Sequence, residues 1–263
     1  MRMGKLYLIG LGLSPDLITL RGLRKIKDVR KVYLDIYTSS FPEPLDEIKR
    51  IIGRNDIILA NRSMLEERSS EIIGELEHGD VALLVTGNPL LATTHVSLLI
   101  EARNKGHSFE VVPAPGIIPN ALLLAGLMIY KIGKPVTLTY PRNGIISEYP
   151  YDVIKDNDSR NLHTILLLEM DMERGIMMTI PEAVKLLFRL ESIKRESVIN
   201  GDRKAVAVSA LGSHKQRICP RKLKELLDYE GEGPHTLILV SPKPHFMEEE
   251  ALAVIGNEFC REP

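Results

Sequence analysis

Five short apolar segments in residues 1–113 constrain the fold more than any other feature of the sequence. Rich in Val, Ile, Leu or Tyr, they are Lys5 to Ile9, Lys31 to Leu34, Asp56 to Ala60, Val81 to Val85 and Phe109 to Val112. Strands that are buried on both faces have this composition. Amphipathic helical patterns lie between them, at Leu17 to Ile26, Met64 to Leu76 and Val96 to Ala102. The alternation predicts an α/β domain with a mainly parallel sheet over residues 1–113.

The rest of the chain predicts a connection followed by a second α/β domain with more antiparallel character. Residues 114–134 form an interdomain loop at Ala114-Pro115-Gly116 and a helix from Pro119 to Ile129. In residues 135–263 the expected strands are Pro135 to Thr139, Thr164 to Glu169, Ala205 to Ala210 and Thr236 to Val240. The helices expected there are Pro181 to Ser192 and Arg221 to Leu227.

Charge and composition exclude several classes of function. The 34 basic and 35 acidic residues nearly cancel, so no nucleic-acid partner is expected. The longest apolar stretch, Ala121 to Tyr130, is too short to span a bilayer, and no signal peptide is recognisable, so no membrane partner is expected. Because the only cysteines are Cys219 and Cys260, we expect neither a disulfide framework nor a metal site, and a cytoplasmic protein.

Familiar nucleotide and hydrolase motifs are missing. Ile9 to Pro15 starts like a dinucleotide-binding turn, but proline occupies the position of the third glycine. Neither a phosphate-binding P-loop nor the G-x-S-x-G turn of a serine hydrolase occurs in the sequence.

The segment GNPLLATTH, residues 87–95, is the strongest candidate for a ligand loop. It follows a strand predicted to lie inside the sheet, and parallel sheets bind ligands beyond the carboxyl ends of their strands. Glycine allows close approach to the backbone, and Asn88 offers both a donor and an acceptor. Thr93 and Thr94 fit either helix capping or a ligand contact. His95 fits either a backbone-bonded helix residue or a functional one.

Together these segments resemble a known family. IGLGL, GNPLLATTH, the P-G-I loop at Pro115, LHTILLLEMD and GPHTLILV occur in the order typical of the tetrapyrrole-methylase-like S-adenosylmethionine-dependent methyltransferases. The A-T-T-H continuation is similar to the branch that acts on translation elongation factor two, whereas methylases of tetrapyrroles share only the G-D-P type of loop.

The resemblance implies two α/β domains with the cofactor cleft between them, and a homodimer. It implies S-adenosylmethionine as cofactor and S-adenosylhomocysteine as product. The substrate would be the 3-amino-3-carboxypropyl group on a histidine of elongation factor two, methylated on its amino group, up to three times, on the route to diphthamide. A tetrapyrrole or corrin methyltransferase and a non-catalytic binding module on the same fold are the alternatives.

The resemblance also implies the cofactor-binding residues. They are Leu13, Asn88, Leu91, Gly116, Ile117, Leu168, Leu211 and His235. Asn88 replaces a usual aspartate and Gly116 a common serine, so the side chains at these positions differ from the family pattern. No general base is assigned: Asp16, Glu169 and Asp171 are possible, but solvent could also accept the proton.

Overall fold

A computed structural model describes residues 4–37 and 44–260 of the chain. The chain divides into two compact units. The first comprises the described part of Met1–Ile117 together with the short segment Asp171–Gly175. The second comprises Ile118–Met170 and the described part of Ile176–Pro263.

The first unit contains a five-stranded parallel sheet, as the sequence predicts. Its strands are β1 (Lys5–Gly10), β2 (Lys31–Asp35), β3 (Ile57–Ala60), β4 (Val81–Val85) and β5 (Ser108–Val112). Their order is β3-β2-β4-β1-β5, with every pair parallel. Alternate residues of β1 and β4 enter two separate apolar cores, one on each face of the sheet. This two-sided burial explains why β4 is apolar throughout.

Helices connect the strands of this sheet. They are α1 (Leu20–Asp28), α2 (Leu45–Ile52), α3 (Ser69–Gly74) and α4 (Val96–Asn104). The helix predicted from Leu17 starts later because Thr19 caps α1, its Oγ1 accepting the Gly22 N–H at 3.1 Å. The helical pattern from Met64 to Leu76 is divided among a π-helical turn, α3 and a 3₁₀ turn.

The second unit contains a mixed five-stranded sheet and, apart from Asp171–Gly175, a small hairpin. Its strands are β6 (Val136–Leu138), β7 (Thr164–Leu168), β8 (Met170–Asp171), β9 (Ile176–Met177), β10 (Lys204–Ser209), β11 (Arg217–Lys222) and β12 (His235–Leu239). The large sheet has the order β11-β10-β12-β7-β6, and only β6 and β7 pair in parallel. The predicted antiparallel character is confirmed.

Four helices accompany the described part of this unit, and two expectations for helices are corrected. The helices are α5 (Ile117–Leu124), α6 (Tyr149–Ser159), α7 (Ile180–Lys194) and α8 (Phe246–Phe259). The helix expected up to Ile129 ends at Leu124, because Gly126 takes a left-handed conformation with φ 74°. The helix expected from Arg221 to Leu227 is wrong, since β11 runs to Lys222 and a 3₁₀ turn follows.

Cys219 and Cys260 form a disulfide bridge. The bridge joins β11 to the residue that follows α8, across a sequence separation of 41. The sequence predicts no disulfide framework, and the described residues contain this single bridge, which the sequence analysis does not predict. A sequence with two distant cysteines does not reveal that the fold brings their Cα atoms within 4.7 Å of each other.

Candidate functional site

Three loops of the first unit meet at the carboxyl ends of neighbouring strands. They follow β1, β4 and β5, and β1 lies between the other two strands in the sheet. Because the strands are parallel, their carboxyl ends lie at the same end of the sheet, and the segments GLGLS, GNPLL and PAPGI come together there. This edge is where the sequence predicts a ligand loop.

Backbone hydrogen bonds join the first two loops. The Gly87 N–H donates to the Gly12 carbonyl at 2.6 Å, and the Gly12 N–H donates to the Gly87 carbonyl at 3.3 Å. Both glycines have positive φ angles, 81° for Gly12 and 73° for Gly87. A side chain is disfavoured in this conformation, which explains the glycine at both positions.

The third loop approaches the second so closely at Gly116 that no side chain fits without movement. A Cβ at this position would lie 2.7 Å from Leu91 Cδ2 and 3.0 Å from the Asn88 Cβ. Leu13 is near the same point, with its Cδ2 3.8 Å from where a Cβ of Gly87 would lie. The structure therefore brings together four of the predicted residues, and Ile117 follows directly as the first residue of α5.

The Asn88 side chain shapes its own loop. Its Oδ1 accepts the Leu90 N–H at 3.2 Å, and the Asn88 carbonyl accepts the Leu91 N–H at 3.1 Å. The first contact is an Asx turn, which asparagine and aspartate form equally well. Replacement of the usual aspartate thus preserves the conformation of the loop.

His95 is buried beneath this loop and faces Asp35. Its Nδ1 lies 3.2 Å from the Pro89 carbonyl oxygen, and its Nε2 lies 3.2 Å from Asp35 Oδ2. The side chains are 2% and 1% exposed, respectively. The Nε2 contact lacks the geometry of a hydrogen bond, so the carboxylate acts on the ring through its charge. Of the two interpretations of His95, the backbone-bonded one describes its contacts.

The predicted residues of the second unit lie at one end of its large sheet. Ser209 pairs with His235, and Leu167 pairs with Thr236, so Leu168 and His235 belong to the same edge. Leu211 follows β10 at that edge, where the Ala210 N–H donates to the Pro234 carbonyl at 2.9 Å. All three predicted side chains are largely buried.

His235 belongs to a short chain of hydrogen bonds. Its Nδ1 lies 2.8 Å from Ser209 Oγ, which lies 2.8 Å from the Tyr229 hydroxyl. Burial lowers the pKa of His235 to about 4, so the ring is neutral near neutral pH. Burial also raises the pKa of Tyr229, so the phenol keeps its proton. The neutral ring carries hydrogen on one nitrogen only. Which nitrogen this is depends on whether Ser209 Oγ, which is also bonded to Tyr229, donates to Nδ1 or accepts from it.

The three carboxylates considered as bases all have partners. Asp16 accepts the Ser14 hydroxyl, and Asp171 accepts the Arg174 N–H at 3.2 Å. Glu169 is buried, accepts the Tyr140 N–H at 2.6 Å and pairs with Arg142. These contacts give each side chain a structural role, and we assign no general base.

The described residues contain neither a cluster of metal ligands nor a membrane-spanning helix. Within residues 4–37 and 44–260, no three His, Cys, Asp or Glu side chains form a group that could hold a metal ion. None of the helices in that part of the chain is sufficiently long and apolar to cross a membrane.

Sequence reasoning missed three residues that support the candidate positions. Asp35 follows the apolar run Val32-Tyr33-Leu34 of β2, and a charge at the carboxyl end of a buried strand is a signal that could have identified it. Ser209 and Tyr229 carry no such signal, since Ser209 meets His235 only through the pairing of β10 with β12, and Tyr229 bonds Ser209.

The chain is similar in sequence to one family of methylases over most of its length. The family described as tetrapyrrole (corrin/porphyrin) methylases matches residues 5–227. The diphthine synthase of Sulfurisphaera tokodaii is 41% identical over 95% of this chain and 98% of its own length. The diphthine synthase of Methanocaldococcus jannaschii is 38% identical, with coverage of 94% and 97%.

Solved structures show the same similarity. A crystal structure of diphthine synthase matches with a TM-score of 0.86 at 30% identity, covering 97% of this chain and 96% of the other. A putative diphthine synthase from Entamoeba histolytica matches with a TM-score of 0.86 at 28% identity, with coverage of 96% and 98%.

Proposed function

Because the chain belongs to the diphthine synthases of the tetrapyrrole methylase family and is therefore a methyltransferase, we propose that it methylates translation elongation factor two with S-adenosylmethionine as donor. The acceptor is the amino group of the 3-amino-3-carboxypropyl chain on a histidine of that factor. Transfer of three methyl groups gives a trimethylammonium product. Elongation factor two acts in the cytoplasm, which is where we place this reaction.

The observation that supports the donor site most strongly is the convergence of three loops around Gly116. Glycine at positions 12, 87 and 116 allows the three loops to approach one another closely, and they meet beyond the carboxyl ends of the parallel strands, where sheets of this kind bind small molecules. Leu13, Leu91 and Ile117 add partly buried apolar surface beside these groups. Asn88 holds the loop through its Asx turn. These residues fit the amino-acid and apolar parts of S-adenosylmethionine.

In the second unit we propose Leu168, Leu211 and His235 as further donor contacts. Two of the three side chains are apolar and buried, and His235 is neutral, so this sheet edge favours an uncharged, flat group such as a purine. The Ser209 and Tyr229 hydroxyls orient the His235 ring. We also propose a homodimer, which the family resemblance implies.

The chemistry needs positioning more than covalent help from the protein. S-adenosylmethionine supplies an activated methyl group when it is bound. The protein has to hold the acceptor amine about 3 Å from that group and exclude water. The fixed glycine loops suit this role, because a rigid backbone holds one geometry without loss of side-chain entropy.

Titration calorimetry with S-adenosylmethionine and S-adenosylhomocysteine tests the donor site. We expect one site per chain, and we expect Gly116→Val to weaken binding by about tenfold, since its added carbons push against Leu91 and Asn88. Gly74→Ala is the matched control, because a Cβ there meets no atom within 4 Å. Thermal unfolding checks that both variants are folded.

The titrations distinguish a chain that does not bind the donor from one that binds it at a different site. If the wild-type chain binds neither compound, the donor proposal is wrong. If the wild-type chain binds but Gly116→Val binds equally well, the donor lies elsewhere. Mass spectrometry of elongation factor two carrying the unmethylated side chain then tests the acceptor, with a gain of three methyl groups as the expected result.

A further inference from the structure

The continuation Thr93-Thr94-His95 has no part in the donor site described so far. The proposed contacts end at Leu91, whereas these three residues lead from the loop into α4. Two of their side chains nevertheless turn back towards the loop. Their contacts converge on a single peptide group.

That group is the peptide between Pro89 and Leu90. The Pro89 carbonyl oxygen accepts the Thr93 hydroxyl at 3.0 Å and lies 3.2 Å from His95 Nδ1. The N–H on the other side of the same peptide is Leu90 N–H, which donates to Asn88 Oδ1 at 3.2 Å. A carbonyl oxygen has two lone pairs, so both contacts to Pro89 can be hydrogen bonds. Side chains therefore hold the peptide plane on both sides.

Asp35 lies beside His95 on the side of the ring opposite to Pro89. It is the last residue of β2, and its Oδ1 accepts the Tyr37 N–H at 2.7 Å, so the carboxylate is bonded to the segment that follows this strand. Its Oδ2 lies 3.2 Å from His95 Nε2 in a place where both side chains are almost fully buried. A carbonyl oxygen only accepts, so the contact with Pro89 is a hydrogen bond when Nδ1 carries hydrogen.

The orientation of this peptide matters for the residues on either side of it. Asn88 and Leu91 flank Pro89–Leu90, and both lie against Gly116, 3.0 Å and 2.7 Å from where its Cβ would be. Rotation of the peptide would move both residues relative to the loop after β5. The side chains that fix the peptide thus also fix the surface that we assign to the donor.

We propose that Thr93, His95 and Asp35 are positioning residues that hold the Pro89–Leu90 peptide and thereby set the affinity for the methyl donor. This inference rests on the proposed function. None of the three needs to touch the donor. Their effect passes through the conformation of residues 87–91.

Thr93 offers the sharpest test, because valine and serine separate its shape from its hydroxyl. Thr93→Val keeps the shape and removes the donor to Pro89, so we expect the Kd for S-adenosylmethionine to rise roughly fivefold. Thr93→Ser keeps the hydroxyl and should bind within about twofold of the wild type. Thr94→Val is the matched control, since the Thr94 hydroxyl reaches Glu66 at 3.4 Å rather than Pro89.

His95 and Asp35 are tested by a pair of substitutions with the same readout. His95→Leu removes the contact with Pro89, whereas His95→Asn places an amide nitrogen near the position of Nδ1 and should recover part of the affinity. Asp35→Asn keeps an acceptor for the Tyr37 N–H but removes the charge beside Nε2, so it should weaken donor binding. Thermal unfolding identifies any variant that fails to fold, and Thr93→Val then decides the question.

Steady-state kinetics distinguish positioning from general destabilisation. For Thr93→Val we expect a higher KM for the donor, an unchanged KM for elongation factor two and nearly unchanged kcat at saturating donor. Donor affinity equal to the wild type in Thr93→Val, or loss of affinity that Thr93→Ser shares, would overturn the inference. If the wild-type chain does not bind the donor at all, both this inference and the proposed function fail.

Discussion

The Asn88 side chain could act by holding its loop or by touching the donor, and substitutions can distinguish these two roles. Its Oδ1 is occupied by the Leu90 N–H, and an aspartate oxygen would accept the same hydrogen. We expect Asn88→Asp to bind S-adenosylmethionine within about threefold of the wild type, whereas Asn88→Leu, which cannot accept this hydrogen bond, should lose about tenfold. Calorimetry measures both. A change of more than tenfold in Asn88→Asp would show that charge at this position acts on the donor directly.

At the level of residues, sequence reasoning identifies backbone requirements better than side-chain partners. The sequence identifies Gly12, Gly87 and Asn88, because the turns in which they lie require particular local conformations and residue types. Asp35 and Ser209 were missed because their partners are distant in sequence and meet them only through the order of the strands. The resemblance to a family supplied the rest of the predicted site, and its assignment to individual residues stays a prediction.

At the level of elements, the apolar strands were predictable and the polar ones were not. β11 contains Pro220 and several basic residues, which look unlike a strand, but it is an edge strand, where proline and exposed charge are tolerated. α6 was also missed, since Asn157 and its neighbouring aspartates have low helix propensity. Asn157 is buried and bonded to Lys134 and Thr164, so tertiary contacts compensate for the unfavourable local sequence.

The disulfide between β11 and the end of α8 gives a prediction at this scale. Closing a loop across a sequence separation of 41 should stabilise the oxidised chain by about 4 kcal/mol through the entropy of the unfolded state. Addition of a reductant should therefore lower the Tm of the wild-type protein. Cys260→Ser should have the lower Tm from the start and show no response to reductant. Equal Tm values with and without reductant, in protein whose thiols have been titrated in both states, would contradict this.

For the whole molecule, three buried groups with lowered pKa values contribute to the response to acid. Burial lowers the pKa of His235 to about 4 and also that of His163, whose Nδ1 accepts the Ser241 N–H at 3.0 Å. Burial opposes ionisation of Glu248, but hydrogen bonds from Met128, His245, His163 and Lys131 outweigh it and lower the pKa of this carboxyl to about 2.

Because the pKa values of all three groups are lowered by folding, each group makes the free energy of unfolding smaller as the pH falls. The unfolded chain binds protons at histidine below about pH 6.5 and at glutamate below about 4.5, before the folded chain does. The free energy of unfolding should therefore fall as the pH drops from 6.5, and His235 alone should account for about 3 kcal/mol by pH 4. Urea titrations across this range measure the fall. His235→Asn should flatten the curve between pH 6.5 and 4, and a curve identical to the wild type would contradict the burial argument.

The first unit includes the segment Asp171–Gly175, from which Glu173 accepts the Arg62 N–H at 3.0 Å. During synthesis, the ribosome releases the five strands of the parallel sheet well before it translates this segment. More than fifty further codons must therefore be translated before the contact between Arg62 and Glu173 can form. A gene fragment that stops at the end of the parallel sheet would encode a unit without one of its own parts.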